Sequence, residues 1–320
     1  MRALPHLALL CCACLSVPVL AANSSPEASE WLTRLAQAEA SQSYQGSFVY
    51  ERNGSFSSHD IWHRARNGQV SERLLQLDGF PQEIVRVDGK VQCVSGDLVD
   101  DVHSTPNASP RVLDPLKLMS WYDLSVAGAS RIAGRDAVII TVTPRDQYRY
   151  AFELHLDRQT GLPLRSLMLN DKGQLLERFQ VTRLDTSQVP TDRDLAPSSD
   201  CTPPGKPLAV KSEPIVGWRS DWLPPGFELI DSAVQRDGPE RRSVSSLMYD
   251  DGQARFSVFL EPITDTGTDT RVQLGPTAAV SRRLNTPEGN FMVTVVGEIP
   301  LGTAERVALS MRAQGAQAQR

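Results

Sequence analysis

Two of the five histidines in this 320-residue chain, His59 and His63, have the i, i+4 spacing that lets a helix present a pair of metal ligands. Their segment follows the Asn53-Gly54 turn and reads as the returning strand, where the same spacing sets them about 13 Å apart, too far to share one ion. Asp100, Asp101 and His103 form an acidic cluster with a histidine, in a polar stretch without a further carboxylate pattern. The Asp250-Asp251-Gly252 step lacks the ligand spacing of a calcium loop and reads as a hairpin turn. Neither a G-x-S-x-G elbow nor a Walker-type phosphate loop is present, which argues against common serine hydrolases and nucleotide hydrolysis. A triad assembled in space from distant residues stays open, because geometry and not chain order defines one. No catalytic residue, cofactor or metal site is assigned on these grounds.

What remains is chemistry of recognition. The arginine pairs Arg241-Arg242 and Arg282-Arg283 have the fork geometry for phosphate or carboxylate groups, the alternative being solvated surface. From Tyr148 to Leu156 the period is two: Tyr148, Tyr150, Phe152, Leu154 and Leu156 share one face of a strand, and Arg149, Glu153, His155 and Asp157 share the other. Tyr148, Tyr150, Phe152 and Leu154 are therefore the candidates to line or underlie an apolar concave face. Such a face can accept an acyl chain, at roughly 0.8 kcal/mol for each buried CH₂, or be filled by the protein's own helices.

These residues need elements to hold them. Ser25 is a plausible N-cap and Pro26 a first helical residue, with Trp31, Leu35 and Ala38 at helical spacing behind them. Strands are expected at 45–52, 59–64, 74–77, 83–87 and 91–94, with Asn53-Gly54 and Asp88-Gly89 as turns. A second helical stretch is expected around Leu116 to Leu124. An antiparallel meander follows, over 138–143, 148–156, 162–169 and 175–183. Residues 186–217, dense in Pro, Ser and Asp, form a linker. Beyond Trp218 strands are expected at 227–235, 245–249, 254–261, 278–284 and 291–296, then a helix over 303–312.

Arg2, the apolar run Leu7 to Leu20 and Val19-Leu20-Ala21 read as a secretory signal over 1–21, with the mature chain starting at Ala22 or Asn23. Cys11, Cys12 and Cys14 leave with that signal, so Cys93 and Cys201 remain of the five cysteines. An isolated pair in an oxidising compartment is expected to bond, with two free thiols as the alternative. The remaining length suits two domains, 22–185 and 218–312, with a frayed tail over 313–320. The net charge of −5 gives no support to nucleic-acid binding.

Several segments in order resemble one family, the RseB/MucB regulators. They are Tyr44 to Asn53, Ser120 to Leu124, Gly161 to Arg165, Gly173 to Phe179, Trp222 to Phe227, Phe256 to Phe259 and Gly302 to Leu309. The resemblance implies an α+β fold: an unclosed antiparallel β-barrel similar to the lipoprotein carriers LolA and LolB, with helices on its concave side, joined to a smaller α+β domain. It further implies a periplasmic protein that binds the periplasmic domain of a transmembrane anti-sigma factor of RseA/MucA type. Binding would shield that domain from site-1 proteolysis and would be relieved by lipopolysaccharide or another acyl lipid. The chain would then be peripheral to the inner membrane only through its partner, with a homo-oligomer left open. A periplasmic lipid or lipoprotein carrier and an enzyme with an unrecognised site are the competing classes.

Overall fold

The computed structural model describes residues 25–96, 115–204, 217–237, 242–264, 267–287 and 289–313. The signal segment, the Asp100-Asp101-His103 cluster and Arg241 lie outside these residues. No described helix is long and apolar enough to cross a membrane.

The first domain begins with helix α1 (Pro26–Ser41), entered from Ser25 with Pro26 at its first turn. Strands β1 (Tyr44–Arg52), β2 (Ser55–Arg66), β3 (Gln69–Gln76), β4 (Glu83–Val87) and β5 (Lys90–Val94) follow. Asn53-Gly54 and Asp88-Gly89 join strands with positive φ at both residues, the conformation that type I′ hairpins require. A short helix α2 (Pro115–Trp121) leads into β6 (Tyr122–Ile132), β7 (Arg135–Pro144), β8 (Ala151–Asp157), β9 (Pro163–Leu169) and β10 (Leu175–Asp185). The expected helix around 116–124 thus ends at Trp121, and β6 was not anticipated. Gly128 and the Val126/Gly128 bulge break its period of two, which hides the strand in the sequence.

These ten strands form one antiparallel sheet in the order β5-β4-β3-β2-β1-β10-β9-β8-β7-β6. The end strands β5 and β6 do not pair, so the sheet is unclosed. Register places Ile140, Leu154, Ser166, Phe179 and Tyr50 side by side on one inner face, with Phe48, Val181, Ile61 and Leu74 continuing it. Over β6–β8 this face is covered by α1 and α2: Ala28, Trp31, Leu32, Leu35 and Leu118 pack on Leu124, Val138, Ile140, Val142 and Leu156. Each fully buried Leu contributes about 1.5 to 3 kcal/mol there. Farther along, Tyr50, Ile61, Leu74 and Phe179 are only half-buried. At the far end His63, on strand β2 as expected, stacks on Tyr44 and bonds Glu72 at 3.0 Å.

The segment after β10 does not run free. Cys93 and Cys201 are bonded, with 5.5 Å between their Cα atoms, and Val94 pairs with Thr202 as an isolated bridge beside β5. Glu83, nearly inaccessible, holds the same segment: its carboxylate accepts from the Ser198 amide and hydroxyl and from Arg73 Nε at 2.6 Å.

The second domain contains β11 (Trp218–Ser220), β12 (Glu228–Asp237), β13 (Arg242–Asp250), β14 (Arg255–Pro262), β15 (Thr270–Leu274), β16 (Thr277–Thr286), β17 (Gly289–Gly297), helix α3 (Leu301–Ser310) and β18 (Met311–Ala313). Six of these strands form a sheet in the order β12-β13-β14-β17-β16-β15, and β11 pairs with β18. Ala304, Val307, Ala308 and Met311 lie on the buried side of the C-terminal segment, over Phe256, Val258, Val280, Val293 and Val295. The expected helix ends early, at Ser310, because Met311 to Ala313 turn extended and pair with β11. Ala313 is therefore not in the tail. Strand β15, all exposed, carries no burial period for sequence reading to detect.

Replacing both cysteines with serine is expected to cost about 2 to 4 kcal/mol, since the bond closes a separation of 108 residues. The denaturant midpoint of the first domain reads this. Burial pushes the Glu83 carboxyl up, but Ser198 and Arg73 outweigh it and hold it below its ordinary value of 4.5. A depressed folded value stabilises above the unfolded one and is lost as pH falls through the folded one. The unfolding midpoint is thus expected to drop as pH falls below about 4.5, and less steeply in Glu83→Gln.

Candidate functional site

The meander brings its β7–β8 connection to the end of the first sheet where the second domain sits, and polar chemistry concentrates there. Arg149, expected on the solvent face of a strand, lies ahead of β8 with its side chain fully buried. Its Nη1 donates to Asp251 Oδ2 at 2.9 Å and its Nη2 to the Pro225 carbonyl, both in the second domain, with Asp146 Oδ2 at 3.2 Å from Nη2. The guanidinium carbon stands 5.3, 5.7 and 5.4 Å from the rings of Trp121, Tyr122 and Phe227, within cation–π range. Asp251 also accepts from the Gln253 and Ala254 amides at 2.8 and 2.6 Å, a turn its neighbours Gly252 and Ala254 make compact. Burial raises the Asp251 carboxyl above its ordinary range, against the opposing pull of those amides and Arg149.

Around this pair lie further contacts between the domains. Tyr150, 5% exposed, donates to the Ile299 carbonyl at 2.9 Å and accepts from Gln273, and burial first of all pushes its hydroxyl up to about 12. Tyr148 stands edge-on to Trp222 with centroids 5.0 Å apart, and Arg306 both bonds its hydroxyl at 2.9 Å and covers Trp222 at 3.9 Å. Arg52 Nη2 reaches Thr277 at 2.6 Å and Glu298 at 3.2 Å. Gly226, at φ +84°, meets Trp121 so closely that a Cβ would stand 2.1 Å from the indole.

Of the four aromatic and aliphatic candidates, Tyr148 and Tyr150 therefore touch the second domain. Phe152 and Leu154 pack against the cluster under α1 and α2. Tyr122, Tyr150, Phe152 and Met168 form one side of a cavity closed by Gln253, Ala254 and Glu298 of the second domain. Its volume of about 20 Å³ suits one or two waters. Arg282 is held by Asp269 at 2.9 Å and by Glu305, and Arg283 lies 3.9 Å from Asp269 and half exposed. Arg242 opens β13.

Two other arrangements resemble reactive sites. Glu153, His155 and Ser130 form a chain at 2.8 and 2.7 Å with the composition of a hydrolytic triad. His155 is buried, and its bond to Ser130 ties β8 to β6 across β7. His59 stacks on Phe48 and bonds Ser57, and burial lowers its pKa. Among the described residues no three His, Cys, Asp or Glu side chains group as metal ligands.

Sequence reading missed Arg149 and Asp251 because a charged residue in a period-two stretch and a D-D-G turn both read as surface. One signal was available: Ser120 to Leu124, Trp222 to Phe227 and Gly302 to Leu309 all contribute to this seam.

The fold and the seam define a two-domain protein with an unclosed sheet and a second, smaller domain docked on one end of it through buried polar contacts. Two family models match, MucB/RseB N-terminal domain over residues 27–199 and MucB/RseB C-terminal domain over residues 212–312, and the chain belongs to this family of sigma-factor regulatory proteins. It is 56% identical to the sigma factor AlgU regulatory protein MucB of Pseudomonas aeruginosa over 303 residues, 94% of this chain and 96% of that protein. It superposes on the Pseudomonas aeruginosa MucA/MucB complex structure with a TM-score of 0.83, at 56% identity over 91% of this chain and 100% of that one. A crystal structure of MucB gives a TM-score of 0.65 at the same identity, over 91% of this chain and 99% of that one.

Gly226→Ala is expected to displace Trp121 and lower stability by about 1 to 3 kcal/mol through overpacking and a strained φ. Denaturant unfolding followed by tryptophan fluorescence measures both effects.

Proposed function

We propose that this chain is an exported periplasmic negative regulator that binds the periplasmic domain of a transmembrane anti-sigma factor and shields it from site-1 proteolysis. The observation that carries the reading is the 0.83 superposition on a MucA/MucB complex by a chain 56% identical throughout. A signal peptide over 1–21 and a disulfide-bonded fold suit that compartment. On this reading the protein acts by binding and not by catalysis, and its seam and inner face are recognition surfaces.

Release by lipopolysaccharide or another acyl lipid is the second half of the proposal. Tyr50, Ile61, Leu74 and Phe179, half-buried beyond the reach of α1 and α2, support an acyl site on the inner face. The same residues favour the competing reading, a lipid carrier. A lipid displaces a partner only by binding the free form more tightly than the complex. A hundredfold preference is about 2.7 kcal/mol, the worth of three to four buried methylenes.

Calorimetry of the mature protein with the anti-sigma periplasmic domain, repeated with lipopolysaccharide, tests this. Tight binding that weakens as lipid is added is expected, as is protection of the bound domain from the site-1 protease. Lipid binding without any affinity for the anti-sigma domain would replace the regulator with the carrier.

A further inference from the structure

The Arg149–Asp251 pair joins two domains with both side chains 0% exposed. A buried pair of this kind is a weak adhesive, because each charge loses its water, yet it is strict about geometry, because either charge left behind alone in the interior is costly. When the seam separates, both charges return to water together. The pair therefore adds little to the cost of full separation, while it disfavours intermediate arrangements that strand one charge. The seam also carries polar contacts that water can replace, Tyr150 to the Ile299 carbonyl, Arg52 to Thr277 and Arg306 to Tyr148, beside aromatic ones, Tyr148 on Trp222 and Trp121 on Gly226.

At equal identity and equal share of this chain, the structure superposes better on the MucA/MucB complex than on the MucB crystal structure, with TM-scores of 0.83 and 0.65.

We infer that the Arg149–Asp251 pair is the latch of a two-arrangement switch, and that the closed seam is the arrangement that accepts the anti-sigma segment. Arg149 is then a positioning residue for the partner and touches none of it. The inference rests on the proposed function. Partner affinity scales with the fraction of molecules in the closed arrangement.

The test uses the mature protein carrying spin labels at Gln69→Cys, on the sheet end away from the seam, and at Leu309→Cys, on the exposed side of α3, with interdomain distances read by double electron–electron resonance. One distance population is expected with Arg149 present. Arg149→Met should add a second population and weaken binding of the anti-sigma periplasmic domain by about tenfold, and saturating partner should return the distances to the first population. Arg149→Met/Asp251→Asn strands neither charge of the pair, so it should unfold like the parent and return most molecules to the first population, with affinity recovering alongside. Unchanged distances in Arg149→Met, unchanged affinity in it once its seam has opened, or a double variant as open as the single one would overturn the latch while leaving the proposed function standing. Failure of the parent protein to bind the anti-sigma domain would overturn the proposed function and the inference with it.

Discussion

An antiparallel sheet of ten strands with one apolar face and two unpaired ends has to cover that face or lose its fold to water, and most of this molecule can be understood from how the covering is divided. Helices α1 and α2 cover the part built from β6 to β8. The second domain covers the end where Tyr150, Phe152 and Met168 emerge, laying Ala254 and Glu298 over them. What neither reaches, the half-buried strip of Tyr50, Ile61, Leu74 and Phe179, is left as the adaptable portion. The three coverings differ in chemistry. The helices bury Leu and Trp, a commitment only unfolding reverses, whereas the second domain docks through aromatic contacts together with groups that water can also satisfy.

The sheet's ends are managed by other means. Strand β5 would expose a ladder of donors and acceptors, a template for unwanted pairing. The segment after β10 crosses to it, bonds Val94 through Thr202, and is fixed by the disulfide and by Ser198 on Glu83. This anchoring also shortens the tether between domains. With Cys201 and Thr202 fixed beside β5, the connection to the second domain is counted from Thr202 and not from Asp185, so docking costs less loop-closure entropy.

Much of the fold was legible in the sequence where pattern and turn chemistry agree. Asn53-Gly54 and Asp88-Gly89 announce hairpins because few other residues adopt two positive φ values in succession. Alternation from Phe152 to Leu156 places the strand face correctly. The reading failed where tertiary context overrides local period. Strand β6 carries a bulge, β15 is exposed throughout, and Met311 to Ala313 leave their helix to pair with β11. It failed most at the seam, since a fully buried arginine and a surface one look alike in sequence. Only the partner, 102 positions away, tells them apart.

That failure has a physical reason which also bears on function. A seam built from leucines would have been visible as a surplus of apolar residues, and it would have been permanent. Asp251 shows what the polar alternative requires: burial drives its carboxyl toward the neutral form, and two amides and a guanidinium must be in place to oppose that. Those amides belong to its own turn and stay with it when the domains part. The guanidinium belongs to the other domain and does not. Asp251 thus keeps its two amides and regains water when exposed, and gains the guanidinium only on docking, which makes closure specific without making it irreversible. On the proposed function, holding a partner and releasing it call for an interface of that kind, in which specificity comes from charge placement and reversibility from the water on either side.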